Sequence, residues 1–313
     1  MRSLLFLFLF LLLSNTAMAT QARSLPPDVL RARAVAAHND RYLASTARFT
    51  QESFEFNSPA GIVLTAKLLV PTQEEKGTRF PVVSVFGGFE RATKLLETLQ
   101  PKAPIIVASF DYPFDAPKKF EFSKSLSYAP DTKRAISDML GAIEELHNAI
   151  KKREDVDASK ITVLGASIGA PFALTAAADD PTISGIVIIH GFGDIPGTVK
   201  HRLLRRWEPK FGALAHPMAW LFSHLGWLYL DGPAPEESVL RLTSRQRVYM
   251  IQAEEDSYIP TASSSRLWKA IENSAAQHER LMTPGDHLQP DSNRAIENIS
   301  DQIINWMKRS ELL

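Results

Sequence analysis

The chain has 313 residues, 45% of them hydrophobic and 22% charged, with Lys+Arg and Asp+Glu equal at 35 each. That is an ordinary globular composition, long enough to bury a large core, and with its charges balanced no strong electrostatic field points to nucleic acid or to an anionic membrane. There is no cysteine, which excludes disulfides, thiol catalysis and thiolate-bound metals.

The first element is a leader. Arg2 precedes ten apolar residues over 4–13, then Ser14-Asn15-Thr16 and Ala17-Met18-Ala19. A basic start, a short apolar run and an A-x-A site mark an export signal. Ten residues rise only about 15 Å as a helix, half a bilayer core. Cleavage after Ala19 is therefore expected rather than a spanning anchor, with a periplasmic or secreted product. No cysteine follows the run, which excludes a lipoprotein. Residues 20–313 are expected to form one domain.

A helical, mixed-charge lead-in is expected over 25–47. Residues 49–56 alternate, Asn57-Ser58-Pro59-Ala60-Gly61 signals a turn, and 62–70 reads as a second strand, together a β-hairpin. A continuous apolar strand follows at 80–86, ending in Gly87-Gly88, then a short helix at 93–100 and a strand at 104–110. Residues 111–130 read as a long aromatic, Pro-containing loop. Residues 131–152 read as a helix with Asp131 as its cap, because Ile136, Met139, Leu140, Ile143, Leu146 and Ile150 fall on one face. Strands at 161–165, 185–189, 247–253 and 278–282 alternate with helices at 168–178, 261–273 and 291–308. In the last helix Ile296, Ile299, Ile303, Ile304 and Trp306 are the apolar positions. Strands that are apolar throughout, alternating with helices, imply an α/β fold: a mostly parallel sheet covered on both faces, with the hairpin adding antiparallel strands at one edge.

One stretch breaks the alternation. About 192–245 is too long for a simple connection and contains Trp207, Phe211, Trp220, Phe222, Trp227 and Tyr229 with helical tendency. It reads as an inserted helical cap. Its apolar part, 214–230, is interrupted by His216, Pro217, His224 and Gly226. A membrane span is therefore not expected, while peripheral lipid contact is allowed.

The chemistry is carried by Gly165-Ala166-Ser167-Ile168-Gly169, a G-x-S-x-G placed between an apolar strand and an Ala-rich helix. A serine on so tight a strand-to-helix turn holds its hydroxyl clear of the backbone, glycines leave room for the turn, and the helix N-terminus lends N–H groups and a positive dipole end. With this motif, and with Val156-Asp157-Ala158-Ser159-Lys160 before it, the chain resembles the α/β-hydrolase superfamily, in particular its dienelactone-hydrolase-like and prolyl-oligopeptidase-like members. The resemblance covers roughly 49–310 and is weakest in the cap.

The resemblance implies a triad in the order Ser, acid, His. Of His278 and His287, the second lies in Pro284-Gly285-Asp286-His287-Leu288, a loop after a strand from which an imidazole can reach the serine; His278 begins the strand itself. For the acid, Glu254-Glu255-Asp256-Ser257-Tyr258-Ile259-Pro260 resembles the family's G-x-x-D-x-x-x-P loop, with Ala253 where glycine is usual. Asp256 is the match, and Glu254 and Glu255 are neighbours able to take the role. Asp286 reads as a turn former.

Oxyanion donors are expected from the Ile168 N–H and from Gly88 or Phe89, where Phe86 replaces the family's histidine in a His-Gly-x loop. His190, at the end of the 185–189 strand, reads as structural or as a substrate contact. His201, His216 and His224 lack metal-ligand spacing, so no metal is expected, and no cofactor. The resulting expectation is a carboxylesterase-like serine hydrolase acting on a small acyl substrate, without nucleic acid. A small exopeptidase, with Glu236-Glu237 available for an amino terminus, or a non-catalytic lipid- or ligand-binding relative are the alternatives. The residues that contact substrate are not legible.

Overall fold

The computed structural model describes residues 33–34, 49–72, 77–87, 92–98, 101–114, 129–288 and 292–313. The leader and most of the 25–47 and 111–130 segments lie outside the described residues, as do Gly88 and Phe89.

In chain order the elements are β1 (Arg33–Ala34), β2 (Phe49–Asn57), β3 (Val63–Pro71), β4 (Phe80–Phe86), α1 (Ala92–Thr98), β5 (Ile106–Phe110), α2 (Ala129–Lys151) and β6 (Val156–Ala166). There follow α3 (Gly169–Asp179), β7 (Ile183–Ile189), α4 (Ile195–Phe211), a 3-10 turn (Gly212–Leu214), α5 (Ala215–Leu230), α6 (Pro235–Leu240), β8 (Arg247–Ala253), α7 (Thr261–Glu272), β9 (Gln277–Thr283) and α8 (Asn293–Arg309). Among the described residues they build one sheet in the order β1-β2-β3-β5-β4-β6-β7-β8-β9. The pairs from β5 through β9 are parallel, and those joining β1, β2, β3 and β5 are antiparallel. The expected mostly parallel sheet with an antiparallel edge is thus what the chain forms.

Parallel central strands are mostly apolar because both faces are covered, and alternate residues go to opposite cores. On β7, Ile186 and Ile188 join a core with α2, α3 and α7, while Val187 and Ile189 join a second core with α1 and α8. On β8, Val248 and Met250 face the first core, and Tyr249 and Ile251 the second. There Tyr249 stacks on Trp306 of α8 at 5.2 Å. β9 closes the sheet as a largely exposed edge. The apolar stripe of α2 packs as its periodicity requires, with Ile136, Met139, Ile143, Leu146 and Ile150 all buried.

Helix α2 begins at Ala129, which puts Asp131 in its first turn and not at its cap, β5 starts at Ile106 and β7 at Ile183, and two elements differ further from their sequence readings. Within the expected helical lead-in, Arg33–Ala34 instead pairs with Ser53 and Glu52 of β2 as a short antiparallel strand. Local helix propensity is a weak prior that an open sheet edge can override. β6 begins five residues earlier than its apolar run, at Val156, where it pairs with Phe80 ahead of a register shift. The residues between are polar because this end of the strand is partly solvent-facing, and apolar periodicity cannot register such positions.

The hairpin is clamped to α2. Gly141 sits so close to Pro59 that a Cβ would lie 2.4 Å from its Cγ. Buried Asp138 accepts the Ala60 N–H at 2.9 Å and the Tyr112 hydroxyl at 3.0 Å.

His147 of α2 is enclosed in the core, its Nε2 2.8 Å from the Ser84 hydroxyl. Burial first, then the Lys151 charge, pushes its pKa from 6.5 down to about 4. The unfolded chain therefore binds a proton that the folded chain refuses. This contribution to stability is complete above 6.5 and is lost as pH falls toward about 4, at a cost of about 3 kcal/mol. Urea unfolding is expected to show stability declining across that window, with a clearly shallower decline in His147→Gln.

Candidate active site

The candidate residues lie along the C-terminal edge of the parallel strands, where ligands of open α/β sheets bind. β6 ends at Ala166, and Ser167 turns into α3 with φ at 51°. A left-handed serine costs energy and has to be held by its surroundings. Its N–H donates to the Ile189 carbonyl of β7 at 2.8 Å, and its carbonyl accepts from Ala170 N at 3.0 Å. Both motif glycines are sterically required. A Cβ on Gly165 would lie 2.7 Å from the Ala170 Cα, and one on Gly169 only 2.1 Å from the Phe86 carbonyl oxygen. The elbow is thereby pressed against the end of β4. Ile168 stands at the N-cap of α3, where the first N–H groups have no helical partner.

Next along the edge, β7 ends at Ile189 and His190 takes a left-handed φ of 49°. Its N–H donates to the Ile251 carbonyl at 2.8 Å. Beyond it, β8 leads into the loop with Asp256, and β9 into the loop with His287. The structure brings these together: His287 Nδ1 lies 2.8 Å and His190 Nδ1 3.2 Å from the same Asp256 oxygen, Oδ2. The other oxygen, Oδ1, accepts the N–H groups of Tyr258 at 2.9 Å and Ile259 at 2.8 Å.

Four donors surround one carboxyl that is only 10% exposed. Burial alone would push it up. The hydrogen bonds from His190 and His287, the charge of His287 and the Ile259 N–H outweigh that and hold it well below the usual carboxylate range. An ionised carboxylate only accepts, so each histidine presents Nδ1–H to it, and a neutral ring held in this way carries its lone pair on Nε2. The donor atoms of His190, Asp256 and His287 lie within 4.8 Å of one another, a spacing that a metal ion could also use. Hydrogen bonding to a common carboxylate accounts for this convergence.

The other candidates sit apart from this cluster. Glu254 and Glu255 are exposed, and their N–H groups bond to Thr283 and Gly285. His278 is exposed and turns Nδ1 to the Ala276 carbonyl beside Trp268. Asp286 ties the two loops together, accepting from the Ser257 N–H and hydroxyl and from the His287 N–H. Glu236 accepts the Asp194 N–H at 2.6 Å and pairs with Arg266 at 3.2 Å, so it anchors a loop. Phe86, where the resemblance leads one to expect histidine, is fully buried and packs edge-on against Phe110 and His147.

Several neighbours escaped the sequence reading. Tyr258 stacks on His287 with centroids 5.1 Å apart, and the Arg202 guanidinium of α4 lies 4.2 Å from the Tyr258 ring centroid. Arg205 of the same helix donates to the Ser257 carbonyl. The helical insertion between β7 and β8 is therefore fastened directly to the loop that carries Asp256. Tyr258 could have been singled out from its place in the loop motif; the arginines, some fifty residues upstream, carry no such signal. Nor did the sequence show that His190 and His287 share one acceptor.

No family model matches the chain, and no curated protein sequence does. Solved structures match its fold. A thermostable carboxyl esterase from Bacillus coagulans superposes with a TM-score of 0.59 at 13% identity, covering 84% of this chain and 99% of that one. Acetyl xylan esterase 1 from a Thermoanaerobacterium species gives 0.57 at 14% identity, covering 91% and 89%. A prolyl endopeptidase gives 0.56 at 14% identity, covering 85% of this chain and 39% of that one. With its mostly parallel sheet, its strand–serine–helix elbow at β6 and these matches over most of its length, the chain has the α/β-hydrolase fold.

Proposed function

We propose that the protein is an exported serine hydrolase that cleaves carboxylic esters or related acyl bonds through Ser167, His287 and Asp256. The observation that carries this reading is the strained, left-handed Ser167 standing on the same sheet edge as a His287–Asp256 pair 2.8 Å apart. Strained backbone of this kind clusters at functional sites, and the pair supplies the oriented base that a serine nucleophile needs.

In this mechanism Asp256 stays ionised and fixes the His287 tautomer. Ser167 Oγ attacks the acyl carbon while its proton passes to His287 Nε2. The imidazolium, stabilised by Asp256, returns that proton to the departing alkoxide. Water then repeats the sequence on the acyl-enzyme and frees the acid. The Ile168 N–H, at the positive end of α3, faces the developing oxyanion together with a donor from the loop after β4, Gly88 or Phe89. The helices over 195–240 act as the cap that shapes the acyl site, and the leader over 1–19 directs export.

The test is covalent labelling with a fluorophosphonate, mapped by mass spectrometry, beside a p-nitrophenyl ester series from acetate to long acyl chains. The expected result is one adduct, on Ser167, and turnover that peaks at one chain length. An adduct elsewhere, or no adduct and no turnover with any acyl substrate, overturns the reading. The carboxyl esterase and acetyl xylan esterase are matched over 99% and 89% of their length and the prolyl endopeptidase over only 39%, which supports an ester over a peptide substrate, and Glu236 already accepts the Asp194 N–H and pairs with Arg266.

A further inference from the structure

Helix α5 is apolar on two opposite sides. Ala215, Ala219, Phe222, Gly226 and Leu230 are buried, and Trp207 of α4 meets Phe222 edge-on at 5.4 Å. The other side faces solvent. Leu214 is 69% exposed, Trp220 52%, Leu221 44%, Leu225 41% and Leu228 77%. Positions 214, 221, 225 and 228 recur at helical spacing, so the exposed side chains form one stripe along about 21 Å of helix. No Asp, Glu, Lys or Arg occurs from 211 to 230. A stripe of this size is uncommon on a soluble monomer and marks a surface that something covers.

The charge beside it says what. The neighbouring α4 carries Lys200, Arg202, Arg205, Arg206 and Lys210 against the single acid Glu208. A second copy of this chain docking through the same face would bring two basic flanks into one interface, with no acid on α5 to pair them. An anionic bilayer accepts both parts at once, the stripe in its acyl boundary and the basic flank among its headgroups. Among the described residues no helix is long and apolar enough to cross a membrane. We propose that this face is a peripheral membrane-docking surface: α5 lies in the plane of an anionic phospholipid leaflet, with Leu214, Trp220, Leu221, Leu225 and Leu228 inserted and Lys200, Arg206 and Lys210 of α4 at the headgroups. Because α4 also holds the Asp256 loop through Arg202 and Arg205, the docked face is joined to the candidate site by direct contacts.

The test is co-sedimentation of the full chain with phosphatidylcholine vesicles, with and without phosphatidylglycerol, beside Leu221→Glu/Leu228→Glu. Both changes are at exposed positions, and circular dichroism and thermal melting check the fold. Leu214→Gln/Leu225→Gln probes the same stripe should the first variant fail to fold. The expected result is sedimentation with the anionic vesicles, weakened by salt, and reduced at least about tenfold in the variant. Equal binding by wild type and variant would place the membrane contact elsewhere, the apolar 4–13 segment included, and overturn the proposal. Absence of wild-type binding to the anionic vesicles, or equal binding to phosphatidylcholine alone, would also overturn it. So would a lipid-independent dimer that the variant dissolves, which would make this face a protein interface.

Discussion

Replacing Ser167 with alanine is expected to lower acyl hydrolysis by about 10³-fold or more while leaving the fold intact. The hydroxyl is the only group removed. The elbow is held by backbone contacts that alanine keeps, namely the Ser167 N–H to Ile189 and the Ser167 carbonyl to Ala170, and by the close approach of Gly169 to Phe86. Circular dichroism and the unfolding midpoint should match those of the wild type, so lost turnover would report chemistry. Turnover within about tenfold of wild type would remove Ser167 from the mechanism, since a nucleophile cannot be dispensed with.

The second large effect is expected at Asp256, and it separates the two histidines. In Asp256→Asn the acceptor facing both imidazoles becomes an amide. If its NH₂ takes the place of Oδ2, it meets the imidazole Nδ1 as a donor and forces His287 toward the tautomer protonated at Nε2. The base is then lost, and turnover should fall about 10³–10⁴-fold. His190→Phe leaves the carboxylate and its bond to His287 in place and removes one of four donors, with ring bulk retained. That is worth about one hydrogen bond to a charged group, so kcat should fall about tenfold with KM little changed. Steady-state kinetics on a single ester checks both. If His190→Phe proves as damaging as Asp256→Asn, His190 and not His287 is the better candidate for the base. Against the effect of burial, the hydrogen bonds from His190, His287 and Ile259 keep Asp256 ionised far below neutrality, so loss of activity on mild acidification should not arise from this carboxyl.

Much of the scaffold was legible because its signals are local. β4 and β8 match the runs at 80–86 and 247–253 residue for residue, since a strand covered on both faces is mostly apolar and keeps a buried polar residue where it is hydrogen-bonded, as Ser84 and Gln252 are. α2 was legible from its 3.6-residue stripe. The elbow was legible because a serine forced into a left-handed turn against a neighbouring strand needs glycine on each side, and the steric reason for Gly165 and Gly169 is visible in the chain as a short motif. That His287 and not His278 would meet Asp256 was legible from loop position alone, since side chains gather at the C-terminal edge of a parallel sheet from the loops after its strands.

What only the tertiary structure decided are relations between distant segments. His190 and His287 converge on one oxygen of Asp256 because three adjacent strand ends meet there, and no spacing along the chain encodes that meeting. Arg202 reaches Tyr258 because a helix inserted after β7 folds back over the loop after β8. The start of β6 and the β1 pairing were hidden because edge and solvent-facing strand residues lack apolar periodicity. The sequence by itself determined which residues had to be buried and where the backbone had to turn tightly, because both follow from the chemistry of single side chains. Which groups share a proton acceptor, and which side of an apolar helix is left facing water, depend on how whole elements pack, and only the assembled fold sets them.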